Sequence, residues 1–349
     1  YNLSTTLANP ELKPETSTSF EVGADLRFVD NRIGLDVTYF NLNNEDLILS
    51  VPIAGSSGFT SANMNAASMT NKGIEAVLKL VPVKTKDLEW GLDFNFTKLT
   101  NEVTKLADGV TSVFLGGFVG KQGRAVTGHP YGSIFGTDFQ RNADGVMLIE
   151  DDPTKTFYGY PIMDTQDKNI GNVLPDWTMG ITNSLKYKDL FLTFLVDIKH
   201  GGKMWNGTRG ANLNFGMTEE SLERGKEKVF EGVKKSSGQK NDIKVTPGMA
   251  WYQSWGGGFN GPGSPYVDDA GWVRLREITL GYNLPKSFLS LTGIKSADVF
   301  VTGKNLLIFT PYDGVDPETS LYGADNAQGL DYYNMPGVKS VMLGVKVNF

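Results

Sequence analysis

Residues 20–40 read FEVGADLRFVDNRIGLDVTYF, which is two runs of alternating apolar and polar residues joined by the short link VDNR. A repeat of two is the side-chain period of a β-strand, in which successive residues point to opposite faces. The stretch therefore predicts two antiparallel strands, each with one apolar and one polar face. The apolar positions are Phe20, Val22, Ala24, Leu26 and Phe28, then Ile33, Leu35, Val37 and Tyr39.

The same alternation recurs along the chain and continues to its last residue. In WVRLREITLGYNLP the apolar phase changes between Leu275 and Ile278, which predicts a β-bulge near Arg276 and Glu277. We therefore expect an all-β protein. The other runs start at Ile74, Trp90, Trp177, Leu190, Ser296 and Val341.

Composition excludes several classes of protein. The 349 residues contain no cysteine, which excludes disulfide scaffolds, thiolate metal sites and cysteine nucleophiles. The formal net charge is −6 and no basic run is present, which disfavours a nucleic-acid partner. No segment approaches the roughly 20 apolar residues of a membrane-spanning helix. Because the chain begins without Met or a signal peptide, we expect further sequence upstream.

Amphipathic strands of this kind build either a sandwich with a shared core or a barrel that turns its apolar face to lipid. The links favour the barrel, because short ones (VDNR, VPVKTKD, YKD) alternate with long segments at 50–71, 205–270 and 310–336. Membrane barrels have short periplasmic turns and long outer loops. Trp177 and Tyr187 lie on one strand face about 23 Å apart along the membrane normal, as expected for two aromatic girdles.

The sorting of the links also constrains the number of strands. The strand at 20–28 and the last strand both end on the short-turn side, so an odd number of strands lies from one to the other. We count about eleven, with two of them placed in the stretch 124–139. Single-chain bacterial barrels have even strand numbers. The chain is therefore expected to be the C-terminal part of a larger barrel.

Several motifs in their order resemble the SusC/RagA-like TonB-dependent transporters of the outer membrane of Bacteroidetes. The resemblance covers nearly the whole chain, apart from an apparent insertion around 153–168. The motifs are NPELKPETSTSFEVGADLRF, NKGIEAVL, NADGV, IGNVLPDWTMG, GGKMWNGTRG, VRLREITLGYNLP, GKNLLIFTPYDGVDPE and MPGVKSVMLGVKVNF.

The resemblance implies a 22-stranded transmembrane barrel closed by a plug domain. Residues 1–349 would be its C-terminal part, with long extracellular loops, and the plug and the TonB-contacting region would lie upstream. It also implies TonB-dependent import of oligomeric nutrients under a SusD-like surface lipoprotein that acts as a lid. Oligosaccharides are favoured as cargo and oligopeptides are the alternative. Pairing of two transporter–lipoprotein units is left open, and no enzymatic activity is expected.

Two rivals come from another class: a secreted glycan-binding β protein and an outer-membrane barrel enzyme. The enzyme would need a nucleophile and a base, but only His129 and His200 are present and no G-x-S-x-G nucleophile elbow occurs. Both histidines lie at expected turns or strand ends. We therefore interpret them as structural.

Aromatic side chains supply the candidate ligand contacts. The stretch MAWYQSWGGGFNGPGSPY lies in an expected outer loop, where aromatic rings stack on sugars or on peptide side chains. The competing interpretation is that these rings pack a glycine-rich loop. The candidates are Trp205, Trp251, Tyr252, Trp255 and Phe259.

Two other loop features have a functional and a structural interpretation. The stretch QRNADGVMLIED partly follows a calcium loop, with Asn142, Asp144 and Asp151 as candidate ligands, although a simple Asn/Gly turn explains it as well. No other cofactor is expected. The segment from Thr218 to Lys235 predicts a helix with acids in its first turn and lysines near its end, either solvated or in contact with the lid.

The terminal strand generates the first testable prediction. Val345, Val347 and Phe349 should face lipid on the strand that closes the barrel, and the resemblance implies that a terminal aromatic is the signal read by the assembly machinery. Deleting Phe349 is expected to lower the amount of assembled barrel more than ligand affinity. Surface labelling and ligand binding would measure the two quantities, and unchanged surface levels would contradict the assignment.

Overall fold

A computed structural model of the chain describes residues 4–254, 260–289 and 293–349. Nine strands form one continuous antiparallel wall in which each strand pairs with its neighbours in chain order. Within the described ranges, no helix is both long and apolar enough to cross a membrane. The wall strands are β1 (Thr16–Phe28), β2 (Ile33–Pro52), β3 (Ser61–Lys84), β4 (Leu88–Leu106), β5 (Trp177–Tyr187), β6 (Leu190–His200), β7 (Trp272–Asn283), β8 (Ser296–Phe309) and β9 (Ser340–Asn348).

The two faces of the wall differ in chemistry, as the alternation predicts. Apolar residues stand opposite one another from strand to strand on one face, where Val22 is 57% exposed and Leu343 is 87% exposed. The one amide on this face in β5, Asn183, accepts a hydrogen bond from the Trp90 indole at 2.8 Å. On the other face Arg27 donates to Asp36 at 3.1 Å. The exposed apolar face is the one suited to lipid.

Connections on the two ends of the wall are sorted as expected. The strands are joined at one end by residues 29–32, 85–87, 188–189 and 284–295, and at the other by 53–60, 107–176, 201–271 and 310–339. One boundary differs: most of 50–71, expected as a loop, belongs to β2 and β3, which continue past the neighbouring strands. The alternation there is weak because the strands rise into the loops and need no apolar face.

The expected pair of wall strands at 124–139 is wrong. These residues belong to a separate four-stranded sheet formed by Val113–Phe118, Lys121–Ala125, Ser133–Phe139 and Met163–Gly171. None of these strands exceeds 9 residues, and two have only 5 and 6, against the roughly 9–11 residues that span a bilayer. Within the described ranges the wall therefore has nine strands rather than about eleven, and the count remains odd.

Short elements lie outside the nine wall strands, most of them in the long connections. The predicted helix at Thr218–Lys235 is wrong, because the segment forms only the 3₁₀ turn Glu219–Glu223 and two short strands. Gly225 and Gly232 have positive φ within it, which ends helical continuation. Short α-helices do occur, at Gly207–Asn214, Met249–Gln253 and Lys286–Leu289. Further 3₁₀ turns are Gly55–Ser57 and Ser264–Tyr266, and further strands are Thr6–Leu7, Leu148–Ile149, Lys203–Asn206, Lys228–Val229, Val233–Lys234, Lys244–Val245, Val267–Asp269 and Leu330–Asp331.

The bulge predicted in β7 is confirmed. Leu275 pairs with Val196 of β6 and Glu277 pairs with Leu195, so Arg276 is the extra residue. Counted from Val273 and Leu275, the alternation places Arg276 on the polar face and would place Glu277 on the apolar one. The extra residue instead puts Glu277 opposite Leu195, on the polar face. The Arg276 guanidinium reaches Asp197 on that face at 2.6 Å.

Phenylalanine rings cover glycines across the polar face of the wall. Phe40 pairs with Gly73, Phe191 with Gly281 and Phe300 with Gly344. At each of these glycines a Cβ atom would overlap the partner ring. Each ring therefore lies flat against the neighbouring strand, which protects a strand position that lacks a side chain and fixes the register.

Strand β9 ends the wall with its apolar positions outward. Val345 is 66% exposed and Phe349, just beyond the strand, is 79% exposed. The Lys295 amine donates to the backbone oxygen of Phe349 at 2.8 Å. Val345, Val347 and Phe349 thus lie on the lipid-suited edge, while their role as an assembly signal stays a prediction.

The ring–glycine pairs predict a difference between two similar substitutions. Gly344→Ala should lower the free energy of unfolding of the barrel by about 1–3 kcal/mol, because the new methyl displaces the Phe300 ring. Gly91→Ala is the matched control, since its nearest neighbour is the Ser184 Cβ at 3.9 Å. Heat-modifiable gel mobility measures both, and equal effects would contradict the role of the ring.

Candidate functional site

The three longest connections pack against one another and share one hydrophobic core. Its buried members come from all three connections: Ile134, Phe139, Val173, Trp205, Leu213, Trp251, Tyr252, Tyr266 and Leu330. Short ladders join the connections further, since Trp205 pairs in parallel with Leu330 and Val233 with Leu148. We call this unit, residues 107–176, 201–271 and 310–339 where described, the loop body.

Trp205 lies at the centre of the loop body and is fully buried. Its ring packs against Phe118 with centroids 5.7 Å apart. The backbone of Gly207 approaches the same ring so closely that a Cβ atom would overlap it. Trp205 is closed to solvent in this structure.

Trp251 and Tyr252 lie on the helix Met249–Gln253 and are each 7% exposed. The Trp251 ring contacts Tyr160 at 4.8 Å and Phe230 at 5.0 Å between centroids. These contacts support the packing interpretation of the aromatic stretch over the ligand one. Trp255 and Phe259 lie outside the described residues, and ligand contact by these residues stays a prediction.

Two of the three candidate calcium ligands, Asn142 and Asp151, accept hydrogen bonds from the protein. The Asn142 side-chain oxygen accepts from the backbone N–H groups of Asp144 at 3.1 Å and Val146 at 2.9 Å. The Asp151 carboxylate accepts from the Ser236 backbone at 3.1 Å and from its hydroxyl. The bonds of the Asn142 side chain have the geometry of an Asx turn. In the part of the chain that the structure describes, no three acidic or histidine side chains are grouped to hold a metal.

The two histidines contact different residues. His129 Nδ1 bonds the Asn169 amide at 2.9 Å, and the His200 ring stacks on Trp177 at 5.0 Å between centroids. Neither contact includes a serine hydroxyl. The structural interpretation of both histidines agrees with these contacts.

A polar cavity of about 440 Å³ opens on the long-loop side of the wall. It lies where the motif GGKMWNGTRG meets the motif YDGVDPE, between the helix Gly207–Asn214 and the turn at 313–315. The walls carry amide, hydroxyl and charged groups beside apolar surface from side-chain stems and Val315. Its lining residues are Asn206, Thr208, Arg209, Asn212, Thr218, Glu219, Glu220, Asp313, Gly314 and Val315.

Asn206 builds the floor of the cavity. It is fully buried and caps the helix, since its side-chain oxygen accepts from the backbone N–H of Arg209 at 3.0 Å. Its amide nitrogen donates to Asp268 at 3.0 Å and to the Asp313 carbonyl at 2.5 Å. One side chain therefore fixes both walls of the cavity.

Arg209 is the cation of the cavity. Its guanidinium donates to the Pro265 carbonyl at 2.8 Å and to Asp268 at 3.3 Å, and it lies 5.1 Å from the Tyr266 ring centroid. Carboxylates of Glu220 and Asp313 each approach it at 3.7 Å. The site thus presents one fixed cation and several acidic and amide acceptors, a mixture that binds hydroxyl-rich or zwitterionic ligands by hydrogen bonds.

Sequence reasoning missed this site. A polar run such as NGTRG is most often a solvated helix, and nothing local indicates that it meets a turn about one hundred residues later. The signal that could have found it is the pair of motifs itself, each with asparagine or aspartate beside glycine in a long connection.

Comparison with known proteins finds a matching family profile and relatives that align with nearly the whole chain. The sequence profile described as TonB-dependent receptor-like β-barrel matches residues 1–306. TonB-dependent receptor P3 of Formosa agariphila is 31% identical and aligns with 99% of this chain and 35% of its own length. TonB-dependent receptor SusC of Bacteroides thetaiotaomicron is 25% identical and aligns with 98% of this chain and 32% of its own length.

Solved structures agree in fold. The RagAB peptide importer in its closed-closed state matches with a TM-score of 0.70 at 22% identity, over 98% of this chain and 36% of that one. The RagAB peptide transporter matches with a TM-score of 0.69 at 21% identity. The chain spans about a third of the length of the curated relatives it matches. Those relatives are named as receptors rather than enzymes.

The burial of Trp251 generates a prediction. Trp251→Ala should destabilise the loop body by about 3–5 kcal/mol, because it leaves a large cavity among the rings of Phe139, Phe157, Tyr160 and Phe230. Limited proteolysis should then cut within 107–176 and 201–271, while heat-modifiable mobility of the wall is unchanged. Met249→Ala, two residues away and 68% exposed, is the control. Unchanged loop cleavage together with lost ligand binding would instead make Trp251 a ligand contact.

Proposed function

The chain belongs to the TonB-dependent receptor β-barrel family, and from this premise we propose that it is the C-terminal part of an importer of oligomeric nutrients, with oligosaccharides as cargo. As a member of this family it lies in the outer membrane. In the proposed mechanism cargo binds on the loop side, and energy delivered through TonB rearranges a plug encoded upstream. No bond is made or broken, and no metal or cofactor takes part.

The observation that carries this proposal is the polar cavity on the long-loop side of an amphipathic wall. Asn212 and Thr208 offer amide and hydroxyl groups, which pair with sugar hydroxyls as donors and as acceptors. The acids beside Arg209 add charge-assisted acceptors, which make the strongest hydrogen bonds to hydroxyl donors. A water-filled approach along the polar inner face suits cargo of the same chemistry.

Oligopeptides are the second candidate. The charges of Arg209, Glu219, Glu220 and Asp313 favour them, because a peptide carries one cationic and one anionic end. Because these charges would attract a charged peptide but not a neutral sugar, the effect of salt on affinity distinguishes the two candidates.

The proposal includes a SusD-like lipoprotein as a lid over the loop body. Support comes from large apolar side chains that the loop body leaves exposed, which is typical of an interaction surface. Leu222 lies inside the segment that the sequence offered as a lid contact. The exposed residues are Phe215 (66%), Met217 (65%), Leu222 (71%) and Met249 (68%). Whether two such pairs associate is outside this proposal.

Isolation of the native complex tests the partner and the cargo together. Mass spectrometry of the full-length transporter from its own membrane should identify an oligosaccharide and a co-purifying lipoprotein. Recovery of peptide cargo would replace the first candidate by the second. A detergent-free, soluble and monomeric protein would contradict the transporter assignment itself.

The cavity also predicts how binding responds to substitution and salt. Asp313→Asn and Glu220→Gln in the full-length transporter should each weaken cargo binding about tenfold, since a hydrogen bond to a charged group is lost. Asp144→Asn, in an exposed turn of another connection, is the control. For a neutral oligosaccharide the affinity should be nearly constant between low and high salt, whereas a charged peptide should lose affinity. Calorimetry measures both, and wild-type affinity in the two cavity variants would contradict this site.

A further inference from the structure

One turn of the third long connection, residues 313–318, lies between the polar cavity and the wall. Its first three residues line the cavity. The half of the turn beside the cavity has little apolar packing, since Val315 is 61% exposed and the Asp313 side chain is 75% exposed, whereas Pro317 in the other half is buried. On the cavity side it is held by the Asn206 amide, which donates to the Asp313 carbonyl. The other side is held by charge.

Asp316 and Arg274 form a buried ion pair between this turn and strand β7. The guanidinium donates to the carboxylate at 2.7 Å, and the two side chains are 5% and 8% exposed. The same carboxylate accepts the backbone N–H of Glu318 at 3.0 Å and that of Gly337 at 3.2 Å. Asp316 therefore joins the start of the connection, its end and the wall.

The charge of Asp316 is kept despite its burial. Burial by itself raises the pKa of this carboxyl, but the hydrogen bonds from the Glu318 N–H, the Arg274 guanidinium and the Gly337 N–H together hold the pKa below its usual range. The carboxylate is thus ionised at neutral pH. Removing either partner would leave the other charge buried and unpaired, which is costly.

Arg276, the extra residue at the bulge in β7, adds a second arm. Its guanidinium donates to Asp197 of β6 at 2.6 Å and to Glu318 at 2.5 and 2.7 Å. Glu318 also lies 3.6 Å from Arg274. Two arginines of one strand therefore hold two acids of one turn, with Asp197 fixing the second arginine from the neighbouring strand.

We propose that Arg274 and Arg276 are positioning residues that clamp the turn 313–318 through Asp316 and Glu318 and thereby hold one wall of the cargo cavity in place. The clamp concerns only this turn and the wall, so it does not depend on the proposed function. Its effect on cargo rests on the proposed function, because it requires the cavity to be the binding site.

Hydrogen exchange on the full-length transporter in detergent tests the clamp without any ligand. Asp316→Asn keeps the size of the side chain and removes its charge, and it should speed exchange of the amides in 313–318 at least tenfold. Asp325→Asn is the matched control, because the side chain of this exposed acid of the same connection accepts a local hydrogen bond, from the Asn326 backbone N–H at 2.7 Å. Exchange in the wall strands and heat-modifiable mobility report whether the barrel is intact.

A third variant separates charge from packing. Asp316→Glu keeps the charge but is larger, so a charge clamp predicts that it restores most of the protection lost in Asp316→Asn. A packing role predicts the reverse order, since glutamate overfills a site that asparagine fits. That reverse order, or equal exchange in Asp316→Asn and wild type, would overturn the proposal. If Asp316→Asn fails to assemble, Glu318→Gln, at a residue 40% exposed, is measured in its place and should give a smaller increase in the same amides.

Cargo affinity is measured on the same variants. Affinity that falls with faster exchange supports both the clamp and the cavity as binding site. Faster exchange with unchanged affinity keeps the clamp and removes the cavity from the proposed function. The two conclusions therefore fail independently.

Discussion

Backbone hydrogen bonding inside a membrane is the constraint on which this structure depends. A strand in lipid has no water to satisfy its N–H and C=O groups, so each wall strand must pair on both sides. Pairing fixes the register, and the register sorts side chains onto two faces, one apolar and exposed, the other polar. The features that are specific to this chain must therefore lie outside the lipid, in the long connections at one end of the wall.

The long connections lie in water, where the physical requirement is different. Long segments in water need buried apolar surface to offset the entropy of ordering them. The loop body meets this with the aromatic residues that the sequence also offered as ligand contacts. Trp205 and Trp251 are therefore the reason that a polar cavity can exist at a fixed place, because they hold the helix and the turns whose edges line it. The charge clamp at Asp316 completes the connection between loop body and wall.

The wall was predictable and much of the loop body was not, for a physical reason. Period-two alternation is local, so the strands, the sorting of their links and even the extra residue at Arg276 could be predicted from the sequence. The strands at 124–139 alternate too, but their pairing outside the wall depends on glycine-rich turns and on neighbours far along the chain. Likewise, the segment after Thr218 has helical composition, but glycines at 225 and 232 and its contacts with 148–149 override it. Arg209 and Asn206 could be recognised as site residues only from the structure, which places the turn at 313 next to them.

The parallel ladder between Trp205 and Leu330 has a consequence for the order of events during folding. Parallel pairing of segments so far apart in the chain is slow, because the intervening chain must be ordered before the contact repays its cost. Burial of Trp205 must wait for the last long connection, and that connection is positioned by strands β8 and β9 on either side of it. We therefore expect the loop body to be completed after the wall, which would leave its aromatic rings uncovered at the long-loop end until the last connection is in place.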